Sequence, residues 1–204
     1  FFMDMVSMFF NVISQVLMFS LIPFIWWLVT ARRKENFFSW IGLKGVRGSW
    51  LAVGGCILFF FVLCVVSQVW WIPHLLPANA TVQSSYAGMG WSAFPSAFLF
   101  GMIQTGLSEE ILFRGFIGKR LIAKFGFAAG NVVQGLLFGA LHGVMFFFVT
   151  TPLKALVITL ITGFSGWLLG WMTEKGAGGS IVPGWMAHGV GNLVLSMVQA
   201  FGWL

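Results

Sequence analysis

Five side chains in this sequence can carry hydrolytic chemistry: Glu109 and Glu110 in LSEEILFRG, His142 in FGALHG, and His188 with Asn192 in AHGVGN. Attack of water on a peptide carbonyl needs a base to take the proton and donors to hold the developing oxyanion. Glu109 suits the first task, with His142 holding and polarising the water, and His188 and Asn192 suit the second. The two glutamates are distinguished by their neighbours. Glu110 and Arg114 stand at i and i+4, the same-face spacing, with the acid on the N-terminal side that favours an ion pair. One helical step turns Glu109 by about 100° from Glu110, so it projects into the bundle instead. Arg114 is expected near the end of its span, where its side chain reaches water or headgroups. Phe138 and His142 share a helix face, as do His188 and Asn192.

The elements that must position these groups are membrane spans. Of 204 residues, 59% are hydrophobic and only 8% charged, with 24 Phe and 11 Trp. A spanning helix needs roughly 20 mostly apolar residues, and six stretches qualify, at about 2–30, 50–71, 92–114, 128–149, 153–173 and 180–201. The runs are too long and too weakly alternating for barrel strands, and the helix is the other way to satisfy every backbone group in lipid. The expected fold is therefore an all-α, polytopic transmembrane helix bundle of about six spans. It forms one domain over residues 1–204, with a motif-bearing core at about 92–201 and the active site in a cavity between helices. The first span is longer than the apolar core of a secretory signal and lacks a basic start and a small-residue cleavage site, so it reads as part of the protein.

The formal charge of +6 raises the question of an acidic or nucleic-acid partner. Its distribution answers it. Arg32, Arg33, Lys34, Lys44 and Arg47 follow the first span, and Arg114, Lys119, Arg120 and Lys124 follow the third, whereas residues 72–91 carry no Lys, Arg, Asp or Glu. The positive-inside rule makes the basic segments cytoplasmic and the 72–91 loop external, with both termini outside if all six spans cross. Lipid is the expected contact, and nucleic acid is not. Cys56 and Cys64 lie eight residues apart on one helix, about 12 Å at the helical rise, too far for a disulfide. Asn79-Ala80-Thr81 fits a glycosylation sequon, a pattern common by chance. His74 lies in the outer loop and is given no role. No internal repeat, P-loop, CxxC pair or GxSxG elbow is present.

An acidic residue in mid-span costs about 2.5–3.5 kcal/mol on insertion scales, so Glu109 and Glu110 need a reason. Gly135, Gly139 and Gly143 beside His142, and Gly184, Gly189 and Gly191 beside His188, clear space for a close neighbour. A carboxylate, two imidazoles and a carboxamide on three helices can then meet in one polar cavity. At these residues the sequence resembles the CPBP (CAAX protease and bacteriocin-processing, ABI) family of intramembrane glutamate proteases, which includes the type II CAAX prenyl endopeptidases. Its EExxxR, FxxxH and HxxxN motifs match Glu109-Glu110 with Arg114, Phe138 with His142, and His188 with Asn192, in that order. The resemblance implies peptide cleavage by Glu-activated water, with Glu109, His142, His188 and Asn192 catalytic and Glu110, Arg114 and Phe138 supporting the site.

The implied substrate is a membrane-associated peptide or protein tail. The compact chain without a targeting extension favours a multi-pass protein of the bacterial cytoplasmic membrane, in peptide processing, protein sorting or bacteriocin self-immunity. Two histidines and a glutamate can also read as a zinc set with an open position. They are not paired in an HExxH helix, and Asn192 is a poor zinc ligand. No obligatory metal is expected, although a divalent ion fits the donor types. The alternatives are a non-catalytic immunity or scaffold protein, whose polar residues only lock helices together, and a transporter using the same groups as a relay. A transporter is disfavoured because no inverted repeat is visible.

Overall fold

The computed structural model describes residues 2–203, and all regular structure among them is helical. Helix α1 (Phe2–Thr30) is followed by the short α2 (Phe37–Ile41), which is capped by the Asn36 side chain accepting from the Ser39 amide. Helix α3 (Trp50–Leu75) leads into the 76–89 loop. Helices α4 (residues 90–125) and α5 (residues 127–146) form one 57-residue stretch, Gly90–Phe146, bent at Gly126. Helix α6 (Pro152–Gly176) and helix α7 (Val182–Ala200) complete the bundle.

Four stretches are long and apolar enough to cross a membrane: Met5–Thr30, Trp50–Leu75, Gly90–Phe146 and Pro152–Gly176. Helix α7 is outside this set because His188, Asn192, Gln199 and its glycines stand where aliphatic side chains would raise its apolarity. The lipid-facing surface is apolar: Leu51, Phe148 and Val29 are more than 80% exposed, and Phe10, Leu17 and Ile22 of α1 are exposed as well. Such a surface is tolerated in a bilayer and not in water. The chain is a multi-pass integral membrane protein.

The junction after the third apolar run differs from the connecting loop expected at 115–127. The helix continues to Gly126, where φ 78° and ψ 166° break it. It persists because its apolar side has partners: Ile111 and Phe116 pack with Trp40 and Ile41 of α2. A side chain at Gly115 would meet the Ile41 carbonyl at 2.5 Å. Its basic side is paired, with Lys119 3.0 Å from Glu174 at the end of α6 and Arg120 4.2 Å over the Trp40 ring.

Glycines set the helix spacing. A side chain at Gly139 would meet the Thr159 carbonyl, and one at Gly135 would come within 2.8 Å of the Gly163 carbonyl. The glycines beside His142 therefore admit a neighbouring helix, α6, in the small-residue packing that membrane helices use. Gly101 and Gly106 bring α4 equally close to α7 at Gly189, where Cβ atoms built on those two glycines would lie 2.9 Å from the Gly189 carbonyl and Cα, respectively. That contact carries His188 toward the two glutamates.

Candidate active site

Helix α4 is π-helical over Leu99–Leu107 and again over Glu110–Gly118, so the glutamate pair begins at the short join between two widened segments. A π turn shifts hydrogen bonding from i−4 to i−5 and is frequent at functional positions. Here it gives Thr105 two acceptors: its hydroxyl donates toward the Phe100 carbonyl at 3.0 Å and the Gly101 carbonyl at 3.2 Å. Helix α1 clamps the same turn. Gln15 donates to the Gln104 carbonyl at 2.8 Å, and Gln104 donates back to the Gln15 side chain at 3.1 Å. Ser108, fully buried, donates to the Gln104 carbonyl and accepts from Gln15.

The two glutamates occupy different surroundings. Glu109 lines a cavity of about 620 Å³ between the helices, and Phe138, His142, His188, Asn192 and Thr105 line it too. Glu110 lies behind that wall, 0% exposed, with its Oε1 3.3 Å from both Arg114 Nη1 and His188 Nδ1. Room for its carboxylate comes from Gly184, where a Cβ would sit 2.9 Å from Glu110 Oε2.

Arg114 corrects the expectation that it reaches water. Its side chain is fully buried, with the guanidinium 4.2 Å over the Phe138 ring. Helices α5 and α6 close over it with Asn131, Gln134, Gly170 and Thr173. The guanidinium nitrogens make no directed hydrogen bond, so charge and the ring face hold it. Phe138 thus joins both halves of the site, with Arg114 on its face and the His142 ring 4.6 Å away. Gly166 is what lets the ring in, since a Cβ there would lie 2.9 Å from Phe138 Cδ1.

The two histidines are oriented by different partners. His142 Nδ1 is 2.9 Å from the Phe138 carbonyl. A carbonyl only accepts, so Nδ1 carries a proton, and in the neutral imidazole Nε2 is the nitrogen with the lone pair. His188 bridges the carboxylates, with Nδ1 3.3 Å from Glu110 and Nε2 3.8 Å from Glu109 Oε2. Asn192 donates from Nδ2 to Thr105 Oγ1 at 2.8 Å, which leaves a second amide N–H. Among the described residues, no three of His, Cys, Asp and Glu are grouped as a metal set. His74, expected in a loop, lies instead in the last turn of α3, stacked on Trp70, and is not among the residues that line the cavity. Cys56 and Cys64 are both free.

Thr105, Gln104 and Gln15 were not singled out from the sequence. Their signal was present as polar residues inside apolar runs, but their role depends on the π register, which periodicity does not reveal.

A family model described as Type II CAAX prenyl endopeptidase Rce1-like matches residues 90–194, from the start of α4 into the last turns of α7, and so spans every motif residue. No curated protein and no solved structure matches the chain.

Proposed function

Since the chain belongs to the Rce1-like type II CAAX prenyl endopeptidase family, we propose that it is an intramembrane endopeptidase that cuts a membrane-associated peptide or protein tail with water activated by Glu109. The observation that carries this reading is the shared cavity of about 620 Å³, onto which Glu109, His142, His188 and Asn192 all face. The Glu109 carboxylate takes a proton from a water whose other hydrogen is held by the His142 Nε2 lone pair. The new hydroxide attacks the scissile carbonyl carbon. Asn192 donates its second amide N–H to the oxyanion. His188, when both ring nitrogens are protonated, donates Nδ1–H to Glu110 and offers Nε2–H to the same oxyanion. Protonated Glu109 then delivers its proton to the leaving amine. Glu110 and Arg114 position this set from behind the cavity wall, and Phe138 supports it from the lining.

The proposed topology has six crossings, with Gly90–Phe146 supplying two of them around the bend at Gly126 and α7 the sixth. The basic segments lie in the cytoplasm and the 76–89 loop outside. No obligatory metal is needed. The proposed setting is a bacterial cytoplasmic membrane, with a role in peptide processing, protein sorting or bacteriocin self-immunity. Comparison of membrane peptides by mass spectrometry, between cells carrying the intact protein and cells carrying Glu109→Ala, tests the reading. Peptides cut only in the presence of the intact protein support it and name the substrate. Identical peptide sets favour the scaffold or immunity alternative.

A further inference from the structure

The basic face of the bundle is sealed by backbone. Residues 42–49 and 176–181 interlock through Arg47 N–H to the Ala177 carbonyl at 3.2 Å, Ser49 N–H to the Gly176 carbonyl at 3.0 Å and Ile181 N–H to the Gly42 carbonyl at 2.9 Å. Ser180 adds a bond to the Lys44 carbonyl at 2.6 Å, and Lys119 donates to the Gly179 carbonyl at 2.9 Å. None of these residues lines the cavity. The lining instead starts at the depth of Glu109, His188 and Leu169 and continues along α3 through Ser67, Gln68 and Trp71. It ends on Ala80, Thr81, Val82 and Gln83 of the 76–89 loop.

We infer that the catalytic cavity opens on the face that carries the 76–89 loop, opposite the basic segments, and that an extended, uncharged peptide segment reaches Glu109 from that side. The direction of the opening stands on the lining, whereas its use by substrate rests on the proteolytic reading above. The lining chemistry defines the occupant. Among the described residues its ionisable groups apart from Cys64 are Glu109, His142 and His188, with no Lys, Arg or Asp. Glutamine, serine and threonine side chains along the wall can bond a peptide backbone, and the remainder is apolar. A substrate carboxylate would find no Lys or Arg there, only His188 when it is protonated, and desolvation opposes its entry.

Thiol labelling in membrane vesicles of known orientation tests the opening, using the full-length protein with Cys56 and Cys64 replaced by Ala. Ser85→Cys reports the loop face, Lys44→Cys the basic face and Ser165→Cys the cavity, each probed with a membrane-impermeant sulfonated thiosulfonate. Thr162→Cys serves as a second cavity reporter if Ser165→Cys lowers the thermal midpoint. The expected result is that the cavity cysteine reacts from the side on which Ser85→Cys reacts and is protected from the side of Lys44→Cys. Reaction from the Lys44→Cys side, or from neither side, overturns the inference. If Ser85→Cys and the cavity cysteine both react from the cytoplasmic side, the opening stands and the membrane orientation is reversed. Labelling needs no turnover, so a failure of the proteolytic reading leaves this result unaffected.

Discussion

Glu110→Gln should destabilise the protein far more than Glu109→Gln, although the residues are adjacent. Glu110 is 0% exposed and its Oε1 is 3.3 Å from Arg114, whose side chain is also fully buried. Neutralising one member of a buried pair leaves the other charge uncompensated, at a cost of about 3–5 kcal/mol. The amide oxygen of Gln can still accept, and the Phe138 ring 4.2 Å from the guanidinium retains some stabilisation, about 0.5–2 kcal/mol for such contacts. The expected loss therefore falls at the low end, about 3 kcal/mol. At about 2–4 °C per kcal/mol for a chain of this size, the thermal midpoint should drop by roughly 6–12 °C. Glu109 faces the cavity and its nearest cation candidate is His188 at 3.8 Å, so Glu109→Gln removes a buried charge that has no close partner, relieves its desolvation and should cost less than about 1 kcal/mol. The assay is thermal unfolding of both variants, purified in one detergent, together with Glu110→Gln/Arg114→Met. The double variant should recover most of the loss because no unpaired cation remains. A Glu110→Gln midpoint equal to that of the unaltered protein, or a double variant no more stable than the single one, would refute the reasoning.

Three further outcomes follow from the site. Thr105→Val removes the acceptor that holds Asn192 at 2.8 Å; kcat should fall by up to about 10-fold, the worth of one net hydrogen bond, with KM little changed, as steady-state kinetics on the identified peptide would show. Dialysis against a strong chelator should leave turnover of the purified protein unchanged, whereas a loss restored by zinc would establish an obligatory metal. Peptides matched in sequence but ending three residues beyond the cut as a free carboxylate or a carboxamide should differ in kcat/KM by at least about 10-fold in favour of the amide, because the lining offers the acid no Lys or Arg to offset its desolvation; equal rates would contradict that reading of the lining.

The sequence carried the helical, membrane-spanning character of the chain because apolar runs of span length leave few other structures in lipid. It also carried the helix-face pairs, since Phe138 with His142 and His188 with Asn192 lie on regular α-helix. What it concealed lies mainly in α4. The π-helical segments over Leu99–Leu107 and Glu110–Gly118 have no compositional marker, so the place of Thr105 beneath Asn192 could not be read at α-helical pitch. Arg114 was misplaced for a related reason. Its position late in an apolar run suggests the interface, but α4 runs on to Gly126, and α5 and α6 fold back over the guanidinium. The interlock of residues 42–49 with 176–181 joins segments too far apart in the chain for local pattern to reveal.

The central claim is that Glu109 is the base that activates water. Its direct measurement is turnover of the identified membrane peptide by purified protein and by Glu109→Gln, a substitution that keeps shape and polarity while removing the carboxylate charge. The account predicts a folded variant with unchanged oligomeric behaviour in detergent and a kcat lower by at least the ~10²–10⁴-fold that general-base catalysis contributes. Near-normal turnover in Glu109→Gln, with a folded but inactive Glu110→Gln, would contradict it and move the base to the other glutamate.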